Sequence, residues 1–246
     1  MRFSYSSFST FVNCPYRWWL QYKAKLKTLP ECNADNPLWL GLGLHKGIEC
    51  GVEEGVKEYK SHFNIITDEN INWLNQLEYQ IPRVIDLLPK HGEHELEVKT
   101  DNFIGYIDYV CDDTLYDFKF SNNIDSYSQS PQLSIYKHYL ELVRPDVKIN
   151  KLKYVFVPKI QIRQKLKGKP PESITEFRAR VQEHLEASDI RLLEVPYEES
   201  SVTKFQECCN IISKCKEFPK NPTKLCNWCP YKQYCESNGQ VDWMII

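Results

Sequence analysis

The sequence predicts an α/β fold in which a mixed central sheet, centred on one β-hairpin, is flanked by helices. Three observations carry this. Residues 103–120 read Phe-Ile-Gly-Tyr-Ile-Asp-Tyr-Val-Cys-Asp-Asp-Thr-Leu-Tyr-Asp-Phe-Lys-Phe, two β-branched and aromatic runs about a polar middle, the pattern of two short strands and a tight turn. Segments with helical apolar spacing lie before and after it, at 70–88 and 173–188. Short strand-like runs at 151–157 and 191–195 alternate with those helices.

The 246 residues suffice for one domain with a substantial core, and a single domain over 1–246 is expected. A formal charge of −2 and a pI near 6.3 give no global sign of nucleic-acid binding, so such a role must come from local patches. No apolar run approaches the roughly 20 residues of a membrane span, and no signal-peptide core opens the chain. A cytoplasmic protein with no membrane partner is therefore expected. A Walker-type Gly-Lys-Thr loop is missing, which excludes an ATP motor of that kind.

At the N-terminus Ser4, Ser6 and Ser7 offer helix caps, with Phe8, Phe11 and Val12 following at helical spacing. Cys14-Pro15 interrupts this helix. A second, aromatic-rich helix is expected from Tyr16, Trp18, Trp19 and Tyr22, interleaved with Arg17, Lys23, Lys25 and Lys27. Such a segment either grips a nucleic-acid strand by stacking and phosphate contact or packs in the core with a solvated basic face.

Gly41-Leu-Gly-Leu-His-Lys-Gly-Ile-Glu opens a helix expected to reach about Tyr59, with Glu49, Glu53, Glu54 and Glu58 on its acidic side. His45 and Glu49 are four apart, hence on one face, where both could reach a metal. The helix at 70–88 carries an apolar stripe from Trp73 to Leu88, with Pro82 as a kink. Residues 93–99 form a strand with Glu95 and Glu97 on one face and Leu96 and Val98 on the other. Three antiparallel strands follow from it and the hairpin.

If Asp112 and Asp113 form a two-residue turn, register pairs Cys111 with Thr114, Val110 with Leu115, Tyr109 with Tyr116 and Asp108 with Asp117. Alternation then puts Lys119 on the face of Asp108 and Asp117, and Ile107, Tyr109, Tyr116, Phe118 and Phe120 on the other. Facing carboxylates destabilise a sheet unless something offsets them. A divalent cation does so, since hard carboxylate oxygens suit Mg²⁺ or Mn²⁺ together with water and phosphate. Beside such an ion Lys119 would hold a water or steady charge on phosphorus. The alternative is a solvated hairpin with ordinary surface charges.

After a polar loop at 121–130, Pro131 starts a helix at 132–142 that sets Gln132 and Tyr136 one turn apart, with Leu133, Leu140 and Val143 buried. Pro158 ends the strand at 151–157. Lys148, Lys151, Lys153, Lys159, Arg163, Lys165, Lys167 and Lys169 then form a basic tract without Asp or Glu, either tracking a phosphate backbone or a solvated loop. A helix at 201–217 carries Cys208, Cys209 and Cys215.

The chain has ten cysteines. Cys32, Cys50, Cys111, Cys208, Cys209 and Cys215 are scattered, as small core residues are. Cys226-x2-Cys229-x5-Cys235 instead offers three thiolates within ten residues, and a tetrahedral site or a cubane cluster needs a fourth. Cys14, at a helix break, is one candidate and Cys32 the other. Zinc and [4Fe-4S] both accept four thiolates. Trp228, Tyr231 and Tyr234 could shelter a cluster, and a bond from Cys14 to this group would tie the two ends of the chain together.

These pieces, in this order, resemble the PD-(D/E)XK nuclease superfamily, and within it the RecB-type exonucleases with an iron–sulfur staple, which include the AddB nuclease domain and the CRISPR adaptation nucleases. The resemblance rests on the Ser-rich helix with Cys14-Pro15, Gly41-x3-His45, Gly105-x2-Asp108, Asp117-x-Lys119, Gln132-x3-Tyr136 and the closing cysteine group, spanning residues 4–235. It implies a restriction-endonuclease-like core whose ends are stapled by a metal cluster, residues 1–40 and 200–240 forming the helical iron–sulfur subregion. It implies His45, Asp108, Asp117 and the Phe118 carbonyl as ligands of Mg²⁺ or Mn²⁺, and Lys119 as the catalytic lysine. Gln132 and Tyr136 become substrate-side helpers, and Cys14, Cys226, Cys229 and Cys235 ligands of a [4Fe-4S] cluster. The expected activity is a metal-dependent DNA exonuclease on single-stranded or frayed ends, in repair, recombination, phage DNA processing or spacer acquisition, with a helicase or integrase as protein partner. A non-catalytic DNA-binding subunit of the same fold and a zinc-stapled RNA-processing nuclease are the alternatives.

Overall fold

The computed structural model describes residues 1–29, 32–167 and 170–240. Five strands form one sheet in chain order: β1 (Glu93–Lys99), β2 (Ile104–Cys111), β3 (Thr114–Phe120), β4 (Lys151–Val157) and β5 (Arg191–Val195). All neighbours are antiparallel except β3 and β4, which are parallel, so the sheet is mixed as expected. A parallel step needs a crossover, and the helix α6 (Gln132–Val143), numbered in chain order, supplies it.

Near its turn the hairpin has the expected register, Cys111 facing Thr114, Val110 facing Leu115 and Tyr109 facing Tyr116. Asp112 takes φ +52°, a left-handed conformation that Asp tolerates in such turns. There the β2–β3 ladder stops. The expected Asp108–Asp117 rung does not form: β2 leaves β3 beyond Tyr109–Tyr116, while the other edge of β3 stays paired with β4 along its whole length. A matching break lies in β1, where His94 pairs with Tyr109 and Leu96 with Ile107 but Glu95, at φ +47°, does not pair with Asp108. This local twist reverses the alternation of β2. Ile107 therefore packs with Leu115, Leu133 and Phe103, on the face opposite Tyr109 and Phe118, which corrects the single-face expectation.

The face with Ile107 is covered by α6, by α8 (Glu199–Lys214) and by the N-terminal helices α1 (Tyr5–Asn13) and α2 (Pro15–Trp18). Its core contains Phe3, Trp18, Phe103, Leu133, Tyr139 and Phe205. Val143, expected in the α6 stripe, is 42% exposed, and Ile135 and Tyr139 take the buried places. The opposite face is covered by α3 (Pro37–Cys50), α4 (Val52–Lys60) and α5 (Asp68–Leu87), with Leu40, Leu44, Leu77 and Ile81 packed on Tyr109, Phe118 and Val155.

The helix expected to run to Tyr59 is two helices. Gly51, at φ +99°, ends α3 and starts α4, and the pair then crosses with backbones in contact. A Cβ on Gly55 would lie 2.5 Å from the Gly43 carbonyl oxygen and 2.7 Å from Gly47 Cα. Pro82 lies within α5, which runs on to Leu87, and Thr67 and Asn70 cap that helix reciprocally. Ser173 and Glu176 do the same for α7 (Ile174–Glu186).

The break between α1 and α2 falls at Cys14, as expected, and a π-helical turn (Trp19–Lys23) continues α2. Trp18 is buried and donates to Ser7 Oγ at 2.8 Å, so the core-packing reading holds for it. Phe218 stacks on Trp18, Asn221 donates to the Asn13 carbonyl and the Tyr231 hydroxyl to that of Leu26, so the two end segments meet. Among the described residues no helix is long and apolar enough to cross a membrane.

Candidate active site

The site forms where the hairpin comes apart. In an antiparallel pair a residue's N–H and C=O point to the same neighbour. Phe118 N–H, released from backbone pairing with β2, donates to Asp108 Oδ2 at 2.7 Å. The Phe118 carbonyl is likewise free of the ladder and lies 3.1 Å from His45 Nε2, presented by α3. The other ring nitrogen, His45 Nδ1, is 3.4 Å from Asp108 Oδ1 and 3.8 Å from Glu95 Oε1. One donor atom from each of His45, Glu95 and Asp108 falls within 4.8 Å of the others.

Behind this group lies Asp117, 2% exposed. Its Oδ1 accepts from Gln132 Nε2 at 2.7 Å, and its Oδ2 is 2.6 Å from Lys119 Nζ in an ion pair. The Lys119 ammonium also sits over the rings of Tyr127 and Tyr154, at 5.6 and 5.9 Å. Gln132 reaches the Tyr136 hydroxyl at 3.5 Å. Tyr136 and Phe103 close over Gly105, where a Cβ would meet Phe103 at 2.8 Å and Tyr136 at 3.0 Å. Gly105 thus makes room for the aromatic wall three residues before Asp108.

The pocket gathers the carboxylates of Glu95, Asp108 and Asp117 around His45 and Lys119. Burial disfavours the His45 imidazolium, but the Asp108 charge and hydrogen bonds to Asp108 and Glu95 outweigh it and hold its pKa well above the ordinary value. Burial, and then the Asp108 charge, push the Asp117 carboxyl up, with the Lys119 ammonium working against them. Burial opposes the charge on Lys119 as well, yet Asp117 more than offsets it and keeps the amine protonated. Burial, reinforced by Asp117, pushes the Tyr136 hydroxyl up, so it stays a neutral donor. A doubly protonated His45 donates at both nitrogens and supplies positive charge at a place where carboxylates crowd.

The fold thus brings together His45, Asp108, the Phe118 carbonyl, Asp117, Lys119, Gln132 and Tyr136. Glu95 was not foreseen as part of this group. It arrives there through the break in β1, where its φ of +47° interrupts the ladder opposite Asp108. Glu49 instead pairs with Lys46 at 3.0 Å, and Glu97 accepts from the Tyr106 hydroxyl. The basic tract is not one surface. Lys151 pairs with Asp113 and Lys153 with Glu194, Lys159 is buried over the rings of Trp73 and Phe120, and Lys169 lies outside the described residues.

A family model described as the PD-(D/E)XK nuclease superfamily matches residues 2–236. The chain belongs to that superfamily. As a member of a nuclease superfamily it has a nucleic acid for substrate, and nucleases of this kind use divalent cations, for which the donor set just described is chemically suited. The nuclease shares its fold with a crystal structure from Eubacterium rectale of a protein provisionally assigned as an exonuclease. The TM-score is 0.53 at 12% identity, over 92% of each chain. No match was found among curated protein sequences.

At the meeting of its two end segments the nuclease has a cavity of about 490 Å³. Cys14, Cys226, Cys229 and Cys235 all line it, with Arg17, Tyr16 and Lys220, whereas Cys32 does not. Cys14 Sγ accepts from Arg17 N–H and Cys226 Sγ from Thr223 N–H. Tyr231 is buried against the cavity, but Trp228 is 75% exposed, which corrects its expected sheltering role. Among the described residues no three of these cysteines bring their sulfurs within 4.8 Å of one another.

Proposed function

We propose that this protein is a divalent-metal-dependent DNA exonuclease that hydrolyses phosphodiester bonds at DNA ends with single-stranded character. The observation that carries the reading is the convergence of His45, Asp108 and the Phe118 carbonyl at the splayed end of the hairpin, with the Asp117–Lys119 pair beside them. His45, Asp108, Asp117 and the Phe118 carbonyl would hold Mg²⁺ or Mn²⁺, and Glu95 would join them directly or through water. Such a cation polarises the phosphoryl group and offsets charge on the attacking and leaving oxygens.

The chain's own residues do the rest. Asp108, buttressed by the Phe118 N–H, keeps one oxygen turned to His45, and Gln132 fixes the rotamer of Asp117. Lys119, protonated and confined by Asp117 and two aromatic rings, orients a water at the phosphorus and donates to an oxygen that gains charge. Tyr136 carries a neutral hydroxyl beside Gln132 and closes the substrate side.

We also read the cysteine cavity as a [4Fe-4S] site held by Cys14, Cys226, Cys229 and Cys235, at the core of a helical subregion of residues 1–40 and 200–240. Zinc and [4Fe-4S] both accept four thiolates; a brown colour in anaerobically purified protein is expected, and a colourless protein holding zinc at these cysteines would overturn the cluster reading. Repair, recombination, phage DNA processing and spacer acquisition remain the contexts such an enzyme would serve, with a helicase or integrase as partner.

The test is digestion of end-labelled single- and double-stranded DNA, with free or blocked termini and with Mg²⁺ or Mn²⁺. Metal-dependent release of label from free ends is expected. Cleavage that ignores blocked termini, or that acts on RNA alone, would overturn the exonuclease assignment.

A further inference from the structure

At the other end of the hairpin a second set of donors comes together, unrelated to the catalytic pocket. His91 Nε2 lies 3.1 Å from Asp112 Oδ1, and the Cys111 thiol is directed at Asp112 Oδ2 at 3.8 Å. One donor atom from each of the three falls within 4.8 Å of the others. We propose that His91, Cys111 and Asp112 form a Zn²⁺ site at the hairpin turn, distinct from both the catalytic cation and the cysteine cavity.

The donor chemistry selects the ion. One thiolate, one imidazole and one carboxylate are borderline-soft ligands that suit zinc, whereas Mg²⁺ takes oxygen alone. Three protein donors leave one tetrahedral position, which water fills. Glu93 lines the same small cavity but is engaged by Arg144, which donates to both its carboxylate oxygens at 2.9 Å. On binding, the Cys111 S–H bond breaks and a sulfur–zinc bond forms, the proton leaving to solvent.

The backbone holds the donors in place. Cys111 is the last rung of β2, and Asp112 is turned by its φ of +52°. His91 arrives on the loop before β1, which is pinned where Gly92 N–H donates to the Tyr109 hydroxyl at 2.9 Å and that hydroxyl donates to the Pro89 carbonyl. A Cβ on Gly92 would lie 2.3 Å from the Tyr109 ring. The loop therefore lies flat on Tyr109 and delivers His91 to the turn. A plain surface ion pair would account for His91 and Asp112, whose side chains are about 70% exposed. It leaves unexplained the buried Cys111 thiol directed at the same carboxylate. Zinc here would tie the α5–β1 loop to the hairpin turn and so clamp the edge strand that carries Glu95.

The test uses the full chain with its cysteine cavity in its native state. After equilibration with zinc and removal of the free ion, elemental analysis is expected to find about one more zinc per wild-type chain than per His91→Ala or Asp112→Asn chain. Cobalt in place of zinc should give a thiolate-to-cobalt charge-transfer band that Cys229→Ser keeps and His91→Ala and Cys111→Ala lose. Both exposed variants should melt like wild type without zinc, should no longer be stabilised by adding it, and should cleave nucleic acid at the wild-type rate. Equal zinc content in wild type, His91→Ala and Asp112→Asn, or a cobalt band that survives His91→Ala, would overturn the proposal.

Discussion

At the scale of single residues, the pocket is defined by carboxylates of Glu95, Asp108 and Asp117 that face the positive groups of His45 and Lys119. His45 has its pKa raised, so the folded chain binds a proton more tightly than the unfolded one. That contribution to stability is full below the ordinary imidazole value of 6.5 and is lost as pH rises through the raised folded-state value. Metal-free protein should therefore lose thermal stability with rising pH over that window, and Mg²⁺ should restore it. A melting series with and without Mg²⁺ checks this, and a melting temperature that rises with pH in the metal-free protein would speak against it. Because a metal must displace that proton, cation affinity should climb over the same window. Lys119→Met should lower the cleavage rate about 10²- to 10⁴-fold while leaving DNA binding in place. Glu95→Gln and Gln132→Ala, which act on the ligands, should each cost roughly 10- to 100-fold in cation affinity or rate, read as a rightward shift of the Mn²⁺ activation curve. The alternation of the hairpin pointed to Asp108, Asp117 and Lys119, and the family resemblance to His45. Glu95 was not legible, because its role depends on a positive φ that no residue pattern announces.

At the scale of elements, two devices aim these side chains. One is the splayed hairpin, whose turn and first rungs follow from Asp112-Asp113 and alternation. Its opening at Asp108 does not, because it coincides with the break in the β1–β2 ladder at Glu95, whose φ of +47° no residue pattern announces. The same irregularity in β2 moves Ile107 to the other face. The other device is the α3–α4 crossing, where Gly43, Gly47 and Gly55 let the backbones touch on either side of His45. The sequence read as one helix to Tyr59, because nothing in it marks Gly51, at φ +99°, as the break between two. Gly55→Ala puts a methyl against the Gly43 carbonyl, which cannot move away as a side chain would, and should cost about 1–3 kcal/mol. Denaturant unfolding measures this directly. Cation affinity should fall with it, since α3 carries His45, and an unchanged unfolding midpoint would show that the crossing has slack.

At the scale of the whole molecule, groups as far apart in the chain as His45 and Phe118, 73 positions, meet because helices on both faces hold the sheet. The cysteine cavity spans a longer range still, with Cys14 and Cys235 from the two end segments both lining it. Cys229→Ser should lower yield and melting temperature well before it affects the cleavage rate of the protein that survives, as purified material would show. The layout of this cavity was partly legible, since the Cys-x2-Cys-x5-Cys spacing requires a fourth ligand. Spacing left Cys14 and Cys32 open and the family resemblance pointed to Cys14, which lines the cavity while Cys32 does not. The most direct test of the catalytic account is the anomalous scattering of Mn²⁺ soaked into crystals of the wild-type protein. The account predicts one site within about 2.0–2.5 Å of Asp108 and the Phe118 carbonyl, with His45 and Asp117 in its coordination sphere. Manganese bound elsewhere, with these groups keeping their contacts to one another, would contradict it.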